Sequence, residues 1–340
     1  MGGSTPARAT GDGQRLTGLR RRLVNEFQRD FPLSPRPFRE VAERLGWSEP
    51  AVLDALTELV DSGLVSRVGP VIRPNTVGVS ALAAMAVPPD QLRRVADIVS
   101  RRPEVNHNYE REHRFNLWFV LAARDAAALD AAVRRIESDC GMAVMVLPML
   151  DDYYIDLGFD LDGGGKPQGI NPVPGPAKYV PDEDDRRLLA AVQEGVPLVS
   201  RPYEAVAGDT GTSETAVRAR LDALIHAGVI KRFGVIVRHH ECGYRHNAMV
   251  VWDVPDADVH AAGRRLAALD PVRLCYRRPR RLPEWRYNLF CMIHGSDRDA
   301  VRAEVNRVAA EAGLDGCARE ILFSVRRFKQ RGARYDLAPL

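Results

Sequence analysis

The chain has 340 residues, 45% of them hydrophobic and 27% charged, with a formal net charge of +3. That length exceeds what one core usually sustains, so two or more domains are expected of an ordinary globular chain. No apolar run reaches membrane-spanning length, the opening MGGSTPARATGDGQ lacks a signal-peptide core, and so mild a charge does not by itself imply a nucleic-acid partner. A cytoplasmic protein is the expectation, and five cysteines without any C-x-x-C spacing read as reduced thiols rather than a zinc or iron–sulfur site.

In chain order, residues 1–14 are small and polar and read as disordered. Leu16–Phe31 carries apolar residues at helical spacing, and Phe38–Leu45 and Glu49–Asp61 read as two more helices, the last capped by Ser48 and stopped by Gly63. Leu64–Arg73 reads as a small two-stranded wing around Gly69-Pro70, completing a winged helix-turn-helix over residues 15–78. Residues 79–156 then alternate as strand, helix, strand, strand, helix, strand. That βαββαβ order is ferredoxin-like. Residues 157–181, rich in glycine and proline, read as a linker.

The second half repeats the first. Arg36-Pro37, Gly63, Arg67, Gly69, Arg73 and Gly78 recur as Arg201-Pro202, Gly228, Arg232, Gly234, Arg238 and Gly243, all 165 positions on. A second winged helix-turn-helix is therefore expected over residues 182–243 and a second ferredoxin-like domain over residues 244–340. Duplicated units inherit the same self-complementary surface, so the α+β fold should pack as an intramolecular pseudo-dimer.

Chemistry gathers in two matched stretches, VNHNYEREHRFNLWFVLAA from Val105 and VRLCYRRPRRLPEWRYNLFCMIH from Val272. Each has a polar, cationic and aromatic strand, a turn, and an apolar strand opening on Asn-Leu. Histidine, tyrosine and arginine on one sheet surface suit something flat and anionic. On the first strand, Tyr109 and Arg111 alternate with His107 on one face, and His113 follows at the turn. The second copy offers Tyr276, Arg277, Arg278 and Arg280, with Leu274 where His107 would stand, and Trp285 in its longer turn as a cover for a pocket mouth. Lys231, Arg232, Arg238, His239, His240 and His246 follow the second wing, the histidines without counterparts in the first half. His294, ending an apolar strand, reads as core.

Two modules of this order resemble the Lrp/AsnC family of regulators. The segments HNYEREHRFNLWF from His107, IKRFGVIVRH from Ile230 and YRRPRRLPEWRYNLFCMIHG from Tyr276 are similar to the siroheme decarboxylases, in a fused form with a D-like first half and an L-like second. The resemblance implies loss of two acetate carboxyl groups from siroheme in haem d1 biosynthesis. No separate cofactor is implied, since siroheme carries its own iron, and no metal-ligand set is assigned. On this reading His107 and His113 are the proton donors, supported by Tyr109 and Arg111. Lys231, Arg232, Arg238, His239, His240, His246, Tyr276, Arg277, Arg278, Arg280 and Trp285 hold the substrate, arginine being favoured for its bidentate fit to carboxylate. A homodimer of the chain, and contact with other haem d1 enzymes, are further partner expectations.

The competing readings are a regulator that senses haem or siroheme, and a tetrapyrrole carrier. A regulator needs a cationic recognition helix, yet Trp47–Ser66 contains no lysine or arginine and carries Glu49, Asp54, Glu58 and Asp61. DNA is therefore not the expected partner.

Overall fold

The computed structural model describes residues 18–155, 179–237, 246–295, 297–332 and 335. The N-terminal stretch read as disordered, nearly all of the linker, Arg238, His239, His240 and the side chain of His246 lie outside the described residues.

Each half opens with three helices: α1 (Gly18–Glu26), α2 (Pro37–Leu45) and α3 (Glu49–Asp61), and in the repeat α6 (Glu183–Val192), α7 (Pro202–Thr210) and α8 (Glu214–His226). The repeated sequence signals act alike. Pro37 and Pro202 start α2 and α7, where a missing N–H costs nothing, and Ser48 and Ser213 cap α3 and α8 by accepting the Ala51 and Ala216 N–H groups at 3.4 and 3.2 Å. Arg36 and Arg201 ion-pair with Glu49 and Glu214 in the first turns of α3 and α8. The two sets of helices share one core, with Phe27, Phe38, Leu56, Leu189, Tyr203 and Leu221 all buried in it.

The expected local wing is not formed. β1 (Val65–Ile72) is a single strand, and it pairs antiparallel with β7 (Ile230–Val237) of the other half, Gly69 facing Gly234. Gly69-Pro70 runs extended rather than turning, because the partner strand comes from the repeat. Both glycines are required by close approach: a Cβ on Gly234 would lie 2.4 Å from the Phe27 carbonyl oxygen, and one on Gly69 2.9 Å from Gly195 Cα.

The first ferredoxin-like unit comprises β2 (Val79–Met85), α4 (Leu92–Arg101), β3 (Val105–Arg111), β4 (Leu117–Ala123), α5 (Ala126–Cys140) and β5 (Met145–Pro148), continued by β6 (Asp151–Ile155). The second comprises β8 (His246–Trp252), α9 (Val259–Ala268), β9 (Val272–Arg277), β10 (Leu289–Gly295), α10 (Arg298–Glu311) and β11 (Arg319–Gln330). All strands but the β1–β7 pair join one sheet of order β5-β2-β4-β3-β11-β8-β10-β9-β6. Each module keeps the ferredoxin order within it, and each sends the end of its last strand to the other. β11 pairs with β8 through Phe323 and then with β3 from Ser324 onward, while β6 pairs with β9.

Helices α4 and α5 cover the outer face of the first half-sheet, and α9 and α10 that of the second. The inner faces meet each other, burying Leu82, Ala84, Trp118 and Leu147 against Met249, Val251, Phe290 and Leu322. The repeated asparagines lock this frame. Asn116 exchanges two hydrogen bonds with the Val87 backbone at 2.8 and 3.0 Å, and Asn288 does the same with Val254 at 2.9 and 3.0 Å. Among the described residues no helix is long and apolar enough to cross a membrane.

Candidate active site

Between the inner faces lies a cleft of about 150 Å³, or about 770 Å³ when the space open to solvent at its mouth is included. Alternation along β3 turns His107, Tyr109 and Arg111 into it, while Asn108 points outward to donate to the Ala96 carbonyl at 3.0 Å. The facing wall carries Asn247, Met249, Leu274, Tyr276, Met292 and His294, and Gln330 of β11 closes one side. The His107 and Tyr109 rings lie 6.3 Å apart, and Tyr276 stacks on Phe290 at 5.7 Å.

Two arginines are buried at this level in pseudo-equivalent places. Arg111 donates to the Leu322 carbonyl at 3.0 Å and Arg278 to the Leu147 carbonyl, each reaching the last strand of the other module. Neither meets a carboxylate among the described residues, and the Nε of each lacks a hydrogen-bond partner. Burial holds Arg111 down at about 10 and lowers Arg278 in the same direction, since a charged guanidinium out of water is disfavoured. Burial likewise raises the Tyr109 hydroxyl, against the nearby charges of Arg111 and Arg327. Through Arg111, which lines it, the cleft presents buried positive charge that a carboxylate would stabilise.

Other expected site residues stand elsewhere. His113 lies at the edge of the sheet: its Nδ1 accepts the Phe115 N–H at 2.9 Å and its Nε2 meets Glu320 at 2.7 Å. The first contact fixes the Nε2–H tautomer when the ring is neutral, and the ring does not line the cleft. Arg277 turns outward to Asp151 and His260, both at 3.3 Å. Arg280 is held by Asp253 and Asp256, pinning the long hairpin after β9. Arg232 is buried against the Gln28 carbonyl at 3.4 Å, and Lys231 lies 3.6 Å from Asp152. Trp285 is not a cover for the mouth. It is 1% exposed and packs on Trp118 at 5.1 Å and Tyr287 at 5.0 Å, because the longer hairpin folds back into the core.

Three polar residues of the cleft were not among the expected site residues: His294, Asn247 and Gln330. His294 had a signal, since it continues the alternation of Phe290 and Met292. Asn247 and Gln330 had none, as their strands meet β10 and β3 only in the assembled sheet.

This architecture, tandem helix-turn-helix and ferredoxin-like modules closed on an interior cleft, defines an Lrp/AsnC-like ligand-binding protein. In its helix-turn-helix units, α3 has no basic residue, Arg218 of α8 donates to the Leu33 carbonyl at 3.3 Å, and Arg220 is held by Asp182 and Asp185. An AsnC-like ligand binding domain profile matches residues 76–153 and 241–329, and a siroheme decarboxylase NirDL-like HTH domain profile matches residues 20–65 and 185–231. The siroheme decarboxylase NirDL subunit of Paracoccus denitrificans is 44% identical over 317 residues, covering 92% of this chain and 95% of its own length. A crystal structure of the siroheme decarboxylase NirDL superposes with TM-score 0.69 at 30% identity, covering 92% of this chain and 93% of that one. The same enzyme in complex with an iron-uroporphyrin III analogue gives 0.67 at 30% identity, covering 91% of each chain. The chain belongs to the siroheme decarboxylase family, in its fused NirDL form.

Proposed function

We propose that this chain removes the two acetate carboxyl groups of siroheme in the cleft between its half-sheets, with His107 as the proton donor. In each turn the bond between the acetate methylene and its carboxyl carbon breaks. Carbon dioxide leaves, the electron pair passes into the conjugated macrocycle, and a proton is delivered to the methylene carbon to make a methyl group. One proton is taken up per carbon dioxide released, and no oxidant is needed. The observation that carries this reading is the single inner wall shared by His107, Tyr109 and Arg111, facing Tyr276 and His294 across an apolar floor.

Only interactions stronger in the transition state speed the step, so an arginine fork on the leaving carboxylate would oppose it. Arg111 and Arg278 are therefore assigned to carboxylates that stay. The leaving acetate belongs beside His107 against Val120, its register partner on β4, where poor solvation favours the neutral product. His107 suits proton delivery because histidine exchanges protons near neutral pH. His294 on the opposite wall is assigned to hydrogen bonding of a second carboxylate. Arg238, His239, His240 and His246, which precede the cleft-lining Asn247 in sequence, are proposed as further carboxylate ligands.

The test is to incubate the pure chain with siroheme without oxygen and weigh the product. Loss of two carbon dioxide units supports the reading. Return of unchanged siroheme, whether bound or free, contradicts it.

A further inference from the structure

The two halves put residues of opposite charge at register-equivalent places beside the cleft. β11 runs along β3 with Arg327 opposite Tyr109 and Arg326 opposite Glu110. β6 runs along β9 with Asp152 opposite Tyr276 and Asp151 opposite Arg277. Tyr109 and Tyr276 are equivalent: each stands two residues before the arginine whose N–H bonds the carbonyl of the repeated asparagine, Arg111 to Asn116 at 2.8 Å and Arg278 to Asn288 at 3.0 Å. Directly opposed residues of antiparallel strands share a face, so Arg327 and Asp152 both stand on the cleft side, each beside its tyrosine. Arg326 and Asp151 turn outward into ion pairs of reversed polarity, Arg326 to Glu110 at 3.7 Å and Asp151 to Arg277 at 3.3 Å.

The Asp152 side is already neutralised. One carboxylate oxygen of Asp152 lies 3.6 Å from Arg73 and 3.6 Å from Lys231, so this rim supplies its own anion. At the other rim Arg327 donates to Gln330 Oε1 at 3.0 Å, and Gln330 lines the cleft beside His107. The charge of Arg327 also reaches the buried Tyr109 hydroxyl.

We propose that Arg327, with Gln330, anchors a peripheral carboxylate of the substrate and so sets its orientation, while Asp152 fills the pseudo-equivalent place with a carboxylate of the protein. The proposal rests on the functional reading above. A twofold-like scaffold thereby accepts a polyanionic macrocycle in one orientation, with its acetates towards His107 and away from Leu274, which stands in the place of His107 on the other half. Arg327 is a specificity-determining residue in this scheme, and its side chain is exposed, so replacing it leaves the core intact.

The experiment titrates the full chain with iron uroporphyrin III, which carries the same class of carboxylates, and follows the Soret band at low and high salt. Arg327→Asp, which installs the charge of the other rim, is expected to weaken binding about tenfold and to flatten the salt dependence, with Arg327→Lys largely restoring both. Asp152→Asn is expected to bind no more weakly than wild type. Equal affinity of wild type and Arg327→Asp, or equal loss from Asp152→Asn, overturns the proposal. Wild-type protein that takes up no iron uroporphyrin contradicts the functional reading itself, a failure distinct from that of Arg327 alone.

Discussion

Arg111 combines a cost and a use in one side chain. It is 7% exposed, donates to the Leu322 carbonyl, lies over the Tyr109 ring at 5.8 Å and meets no carboxylate among the described residues, and burial pulls it down to about 10. A cation whose native pKa falls below its unfolded value destabilises the fold at every pH below about 10, and the penalty fades only as pH climbs from there towards the unfolded value near 12.5. Arg111→Met should therefore stabilise the ligand-free protein by about 1 kcal/mol in thermal or urea unfolding, as when other buried charges give way to apolar groups. The same variant should bind iron uroporphyrin at least ~10-fold more weakly, because a charge-assisted contact to carboxylate is lost. A drop in both stability and affinity would mean that Arg111 serves packing alone. His107→Ala should split differently, leaving iron uroporphyrin affinity within about threefold and slowing siroheme turnover about 100-fold, the usual loss on removing an acid catalyst. Wild-type turnover in that variant would take His107 out of the mechanism.

The elements owe their places to approaches that only the paired modules create. Gly234 lies in β7 where the backbone of Phe27 and Gln28 passes, with Cβ-to-oxygen distances of 2.4 and 2.5 Å for any larger residue. Gly234→Ala should cost about 2–3 kcal/mol in unfolding free energy, in the range of an overpacked core. Gly208, inside α7, has open space within 4 Å of the place a methyl group would take, so Gly208→Ala should be neutral or stabilising by up to ~1 kcal/mol through helix propensity alone. Equal effects from the two would refute the close-approach account. The same scale shows what the amino-acid order could reveal. The βαββαβ run was legible from the alternation of strand and helix patterns, and Tyr109 and Arg111 from their two-residue spacing after His107. That spacing also turns Arg277 away from Tyr276, a signal the run of arginines obscured. The pairing of β1 with β7, and of β11 with both β8 and β3, joins strands from opposite halves of the chain or from distant parts of it, and no local pattern encodes such a register. His113 and Trp285 were misplaced for a related reason: both lie in turns whose path is set by the opposite module.

At the scale of the whole molecule, duplication supplies the frame and divergence the chemistry. The copies lie 165 positions apart through the helix-turn-helix units and 172 apart at the asparagines (288 − 116), yet the helix-turn-helix core and the asparagine clamps are alike in both halves, while the cleft is lined by His107 on one side where Leu274 stands on the other. The two helix-turn-helix units share one core, and Arg218 and Arg220 of α8 are committed to internal contacts. The central claim is that a tetrapyrrole is held inside, between the two sheets. A crystal structure of the chain with iron uroporphyrin III measures this directly. The macrocycle should lie between Tyr109 and Tyr276, with carboxylates on Arg111 and Arg327 and His107 within hydrogen-bond reach of an acetate. A macrocycle bound to the helix-turn-helix units or to the outer helices, with the cleft unchanged, would contradict it.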